Sequence, residues 1–252
     1  YVVARRTPPV RELEIKVRGL PPAFDGFHVV QITDVHVGPT IRKGWLDAVV
    51  DAVNELKPDL IAATGDLVDG KVRDFIPDVS PFSRLAASEG VFYVTGNHEY
   101  YWEGDAWCAH FESLGMQVLN NRHVVLERGS DRLVVAGITD RNAGQRLRGH
   151  ACDPAQALAG RPDGVPTLML AHRPRSVFEV CEYGVEVQIS GHTHGGQYFP
   201  FSAMIGLFQP FAHGLHEHRG TQLYVSRGTG YWGPPMRAGS TSEITSIKLV
   251  RA

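Results

Sequence analysis

Apolar residues recur along this chain with two periods, and their alternation predicts the architecture. Continuous or alternating apolar runs mark strands at residues 27–33, 60–64, 91–95, 124–127, 133–138, 166–171, 185–189, 223–226 and 243–250. Trp45, Leu46, Val49, Val50, Val53 and Leu56 instead recur at helical spacing, so a helix is expected over 43–57, stopped by Pro58. Shorter helices are expected around 82–87, from the cap pair Asp153-Pro154 to Gly160, and over 176–183. Leu13, Ile15 and Val17 alternate with Glu14 and Lys16, the pattern of a half-exposed edge strand at about 10–18. Strands alternating with helices argue for an α/β fold, here a single domain over 1–252 closed by the strands at 223–250.

Two segments resist this reading. Residues 199–211 carry Phe199, Phe201, Met204, Ile205, Leu207, Phe208 and Phe211 without clean periodicity. They either fold inward over a sheet or form an exposed patch suited to a lipid-like substrate or a membrane surface. His213, His216 and His218 beside Gly214 and Gly220 read as an exposed hairpin or as an extension of a pocket.

Composition narrows the class. At 252 residues, 43% hydrophobic and 21% charged, the chain can build one large core. A formal net charge of −2 gives no basic field for nucleic acid. Cys108, Cys152 and Cys181 lack paired spacing and read as reduced thiols. No run approaches the roughly 20 apolar residues of a membrane span. The chain starts at Tyr1, and an anchor or export signal ahead of it is the expectation, with a cytoplasmic location otherwise. A monomer is expected.

The candidate chemistry sits where strands end. Five strand ends run into Asp34-Val35-His36, Gly65-Asp66, Gly96-Asn97-His98, His172 and Gly191-His192-Thr193-His194. In α/β sheets ligand sites collect beyond the carboxyl ends of strands, so these segments converge if the strands run parallel. Oxygen and imidazole donors without thiolate suit manganese, iron, zinc or magnesium. The set is too large for one ion. Divided between two ions with one shared carboxylate, it makes a two-metal hydrolytic site.

Taken in order, Asp34-x-His36, Gly65-Asp66-x-x-Asp69, Gly96-Asn97-His98-Glu99, His172 and Gly191-His192-x-His194 resemble the calcineurin-like metallophosphoesterase superfamily. The resemblance runs over residues 34–194. The longer strings Gly-Asn-His-Glu-Tyr-Tyr and Gly-His-Thr-His-Gly-Gly-Gln, with Val225-Ser226-Arg227-Gly228 and Pro235-Met236-Arg237, resemble a bacterial branch often found with a membrane anchor or export signal. It implies a four-layer α-β-β-α sandwich, two mixed sheets flanked by helices. It also implies two divalent ions, one held by Asp34, His36, Asp66 and His194, the other by Asp66, Asn97, His172 and His192. A metal-bridging hydroxide would then attack a phosphodiester or pyrophosphate bond, with His98 as the proton donor.

Alternatives stand beside each of these. Phosphomonoesters are a second substrate class, and a catalytically silent protein-binding scaffold is a reading from outside enzymology. Asp69 and Glu99 either orient a ligand histidine or cap a turn. Arg237 either holds a phosphate or makes a structural salt bridge. The small-molecule partner is a phosphoester or a phospholipid-like substrate. Purple acid phosphatases have tyrosine in place of Asp69 and glycine in place of His36, so their coloured iron–tyrosinate centre is not implied.

Overall fold

The computed structural model describes residues 5–252, so residues 1–4 of the expected 1–252 domain lie outside the described residues. Twelve strands are present among them: β1 (Val10–Val17), β2 (Phe27–Ile32), β3 (Leu60–Ala63), β4 (Gly90–Tyr93), β5 (Met116–Val118), β6 (Arg122–Arg128), β7 (Asp131–Gly137), β8 (Thr167–Leu170), β9 (Val187–Ser190), β10 (Gly214–His218), β11 (Thr221–Val225) and β12 (Ile244–Arg251). They form two mixed sheets of six, ordered β1-β12-β2-β3-β4-β5 and β10-β11-β9-β8-β7-β6. The strands β2, β3 and β4 run parallel, as do β8 and β9, so their carboxyl ends face one edge of each sheet.

Three packed interfaces make the four layers. Successive strand residues point to opposite faces, and the burial clusters follow that period of two. Val30 and Ile32 pack outward against Leu46, Val49, Val50 and Val53 of helix α1 (Lys43–Glu55), while Val29 faces the other sheet. Between the sheets, Val29, Leu60, Phe92, Leu168, Leu170 and Ile189 form the central layer. Beyond the second sheet, Val134, Ala136 and Met169 pack on Ala157, Leu158 and Val180. Each fully buried Val, Leu or Ile contributes roughly 1.5–3 kcal/mol, which explains why strands enclosed on both faces read as unbroken apolar runs.

The sequence placed one helix wrongly. In place of a helix at 82–87, α2 spans Val72–Val79 and passes into a 3-10 turn, Ser80–Arg84. Phe75, Val79 and Phe82 are buried at helical spacing, and that face outweighs the single backbone bond that Pro77 removes. Besides single helical turns at Ala143–Arg146 and Phe201–Met204, two longer helices were not anticipated: α3 (Asn97–Trp102), which begins on the site motif itself, and α4 (Gly104–Ser113), whose Trp107 and Phe111 are buried against Phe82 and Tyr93. The expected helix at 176–183 is a broken one, a short α-turn at Val177–Val180 between two 3-10 turns. The 213–218 histidines do lie on a hairpin, β10–β11, at the second sheet's edge.

Candidate metal centre

The carboxyl ends of both sheets meet in one place. Asp34 follows β2, Asp66 follows β3, Asn97 and His98 follow β4, His172 follows β8, and His192 and His194 follow β9. One of these side chains, Asp34, also ties the two sheets together. The backbone N–H of His192 donates to both oxygens of Asp34 at 3.0 and 2.9 Å, and Thr33 Oγ1 donates to Asp34 Oδ2 at 2.8 Å.

Donor atoms converge in three overlapping groups. Asp34, His36 and His194 form one; Asp66, His172 and His192 form another; His36, Asp66 and His98 form a third that contains the shared carboxylate. Asp34 Oδ1 lies 3.3 Å from His194 Nε2, and His36 Nε2 lies 3.1 Å from that same nitrogen. On the other side Asp66 Oδ2 is 3.1 Å from His172 Nε2, which is 3.1 Å from His192 Nδ1. Asn97 lines the same cavity as Asp66, His98, His192 and His194. Taken with Asn97, these groups fit two divalent cations: carboxylate, carboxamide and imidazole donors, no thiolate, and Asp66 common to the second and third groups, the third of which also holds His36 of the first.

The backbone carries strain here. Asp34, His36, Asp66, His192 and His194 all have positive φ, between 51° and 73°. Each left-handed non-glycine residue costs roughly 1–2 kcal/mol, and such strain concentrates where a chain must aim side chains at a ligand. Sequence reasoning has no signal for this, because aspartate and histidine are among the residues that tolerate the conformation best.

Electrostatics favour the ligating forms. Burial, reinforced by the charge of His172, holds His192 well below the ordinary histidine value, and burial with the neighbouring Arg237 does the same for His194. Both rings therefore stay neutral with a free lone pair at neutral pH. Burial alone would lower His172 too, but the charge of Asp66 and their hydrogen bond raise it to about 10. Cation uptake at that group must then expel a proton.

Outer contacts distinguish the remaining candidates. Asp69 touches two imidazoles at once, with Oδ2 3.1 Å from His36 Nδ1 and Oδ1 hydrogen-bonded to His98 Nδ1. Glu99 meets no ligand histidine. It is fully buried and accepts the backbone N–H groups of Asp66 at 3.0 Å, Leu67 at 2.7 Å and Gly96 at 2.7 Å, tying together the two turns that carry Asp66 and Asn97. Arg237 makes neither of its expected contacts. It is buried outside the cavity, its guanidinium donating to the carbonyls of His194, Arg227 and Gly230, with Nη2 3.0 Å from His194 Nδ1.

One residue was missed. Arg173, directly after His172, donates from Nε to the buried Asp140 at 2.6 Å and from Nη2 to Asn97 Oδ1 at 3.2 Å. The only sequence signal was its place between a strand-end histidine and Pro174. Arg173→Met is expected to lower Tm, because it leaves the buried Asp140 without its guanidinium partner, and to weaken one of two cations by about 10–100-fold, as loss of an outer partner does. Isothermal titration with Mn²⁺ reads this directly, and Arg173→Lys, lacking the fork geometry, is expected to restore little. Unchanged binding of both cations would show that Arg173 does not position Asn97.

Beside the centre lies a cavity of about 440 Å³, bounded on one side by Asp66, Asn97, His98, His192 and His194 and on the other by Tyr198, Phe201, Ile205, Phe208 and Trp232.

Comparison with known proteins agrees with this arrangement. The family described as calcineurin-like phosphoesterase matches residues 27–196. A Danio rerio protein described as a transmembrane protein with metallophosphoesterase domain is 38% identical over 261 residues, covering all of this chain and 59% of the relative. The chain thus spans well under two thirds of that relative. YkuE of Bacillus subtilis, described as an uncharacterized metallophosphoesterase, is 32% identical over 256 residues, covering 94% of this chain and 84% of the relative. Among solved structures, the calcineurin-like phosphoesterase YfkN from Bacillus subtilis aligns with a TM-score of 0.54 at 17% identity, over 81% of this chain and 82% of that one, a likeness of fold. With the family match lying over all five motifs and the two mixed sheets bringing those motifs together, the chain belongs to the calcineurin-like phosphoesterase family.

Proposed function

We propose that this chain is a metal-dependent phosphodiesterase or pyrophosphate-bond hydrolase. The observation that carries it is the pair of donor groups Asp34–His36–His194 and Asp66–His172–His192, linked through the His36–Asp66–His98 group and set at the wall of a cavity that His98 also lines. When bound, two divalent cations supply an acidified water and draw off the charge of the phosphate oxygens. In this reading Asp34, His36 and His194 hold one cation, Asn97, His172 and His192 hold the other, and Asp66 serves both.

The protein's own groups do the rest. Asp69 fixes the His98 ring through Nδ1. Burial lowers the proton affinity of that ring, but the Asp69 hydrogen bond and the Asp66 charge reverse the effect and raise it, so Nε2 keeps a proton to give to the leaving oxygen. Space beyond the centre favours diesters over monoesters, since the wall formed by Tyr198, Phe201 and Trp232 offers a berth for a second ester substituent. Location at a membrane surface completes the reading. It is supported by the relatives described as transmembrane proteins, although no described helix is long and apolar enough to cross a membrane.

The test uses Mn²⁺-loaded protein with bis-p-nitrophenyl phosphate, p-nitrophenyl phosphate and an alkyl diester. Diester turnover is expected to exceed monoester turnover and to vanish on chelation. His98→Ala is expected to slow the alkyl diester by about 10³-fold and the p-nitrophenyl diester far less, because nitrophenolate leaves without a proton. Equal slowing of both would remove His98 from the role of acid, and faster monoester turnover would overturn the diester assignment.

A further inference from the structure

The apolar segment after the histidine turn does not fold inward. Phe199 is 71% exposed, Leu207 78% and Phe208 58%, and across the cavity mouth Trp232 is 52% exposed. From residue 198 to residue 212 there is no Asp, Glu, Lys or Arg. Exposing so many large apolar groups together is uncommon on a protein surface that faces only water.

This segment is built into the centre. Thr193, between the two ligand histidines, donates from Oγ1 to the carbonyl of Ala212 at 2.5 Å, and the Phe199 N–H donates to the Ala238 carbonyl at 2.8 Å. Gln197 clamps the opposite wall, donating to the Trp232 carbonyl at 2.7 Å and accepting the Trp232 N–H at 2.8 Å. Trp232 also packs edge-on against the His98 ring at 6.1 Å between centroids. The cavity therefore has a charged end and an aromatic end that opens onto the exposed ridge.

We infer that the substrate is an amphiphile presented by a lipid surface: its phosphodiester lies at the Asp66–His98 end, its hydrocarbon chain runs along Phe201, Ile205 and Phe208, and Phe199 and Leu207 insert among the lipids beside it. This rests on the phosphodiesterase reading and names its substrate class. The aromatic end does not suit a nucleobase. Phe201 and Phe208 stack on each other at 6.0 Å and 10°, whereas a base sandwiched between two rings needs them about 7 Å apart at van der Waals contact. Aromatic and long aliphatic side chains exposed around a site mouth match the acyl boundary of a membrane, where each buried side chain adds to binding.

Two measurements test this, one of them independent of catalysis. Wild-type protein is expected to float with phosphatidylcholine vesicles. Phe199→Ser/Leu207→Ser, which changes two exposed residues outside the cavity lining, is expected to weaken that partitioning by about 30-fold with the same circular dichroism and the same rate on bis-p-nitrophenyl phosphate. Secondly, p-nitrophenyl hexadecyl phosphate dispersed in those vesicles is expected to give a kcat/KM at least about 10-fold above p-nitrophenyl ethyl phosphate, with the gain lost in Phe208→Ser. Failure of the wild type to bind vesicles, equal rates on the two chain lengths, or sedimentation as a dimer that the double variant dissolves would each overturn the inference. If no diester is hydrolysed while vesicle binding persists, the chemical reading fails and the lipid surface stands.

Discussion

Asp66→Asn protein is expected to lose phosphodiester hydrolysis by about 10⁴-fold while remaining folded. Removing one outer partner of a metal site costs about 10–100-fold, and a carboxylate shared by two cations compounds two such losses. Asparagine keeps the shape and the acceptor for the His98 N–H, which Asp66 Oδ1 holds at 2.8 Å, so the turn survives. What disappears is the carboxylate charge that two of the three donor groups share and the partner that raises the proton affinity of His172. Metal analysis of the purified variant is expected to show fewer than two bound ions per chain, and circular dichroism an unchanged spectrum. Two tightly held ions with near-normal turnover would mean that Asp66 is not the shared ligand.

That Asp66 lies at the site was legible from sequence because strand ends are simple to read, while its part as the shared carboxylate was what the family resemblance implied. An enclosed parallel strand is an unbroken apolar run, and the polar residues immediately after it must lie at the sheet's carboxyl edge, so Asp34, Asp66, Asn97, His172 and His192 were placed by pattern alone. The α/β class followed from the same runs, and the four-layer sandwich from the family resemblance. Of the contacts that tune the centre, only that of Asp69 with the His36 ring was anticipated; the others come from residues distant in sequence whose own surroundings have no period. Glu99 had two readings, histidine partner or turn cap, and it takes the second, gathering three backbone N–H groups from two turns. Arg237 could be read as a phosphate ligand or as a salt-bridge partner, yet its guanidinium is occupied by carbonyls. Arg173 reaches Asn97 across 76 positions, and no local pattern announces that contact. The 199–211 segment was ambiguous for the opposite reason: its composition states that it is apolar, and only the fold states which way it faces.

Gly191 carries the second large expectation. It lies between β9 and the histidine turn, its N–H donating to the His172 carbonyl at 3.0 Å, and a Cβ added there would sit 2.1 Å from Asp34 Oδ2 and 2.3 Å from Thr33 Oγ1. Neither neighbour can yield, since Asp34 is fully buried and held by the His192 N–H. Gly191→Ala must therefore push the ligand carboxylate away or move the turn bearing His192 and His194. Overpacking costs about 1–3 kcal/mol and a lost hydrogen bond to a charged group about 1.5–3 kcal/mol, so about 3–5 kcal/mol is expected. For a chain of this size that lowers Tm by roughly 10 °C. The same substitution at Gly44, in α1, has the opposite sign: the added Cβ meets nothing within 4 Å, and alanine is favoured over glycine in a helix by up to about 1 kcal/mol. Differential scanning calorimetry of both variants is expected to show Gly44→Ala at or above the wild-type Tm and Gly191→Ala well below it, with metal binding lost only in the latter. Similar Tm values for the two would mean that the turn has room to move, and that close approach between the two sheets is not what holds Asp34 against the histidine turn.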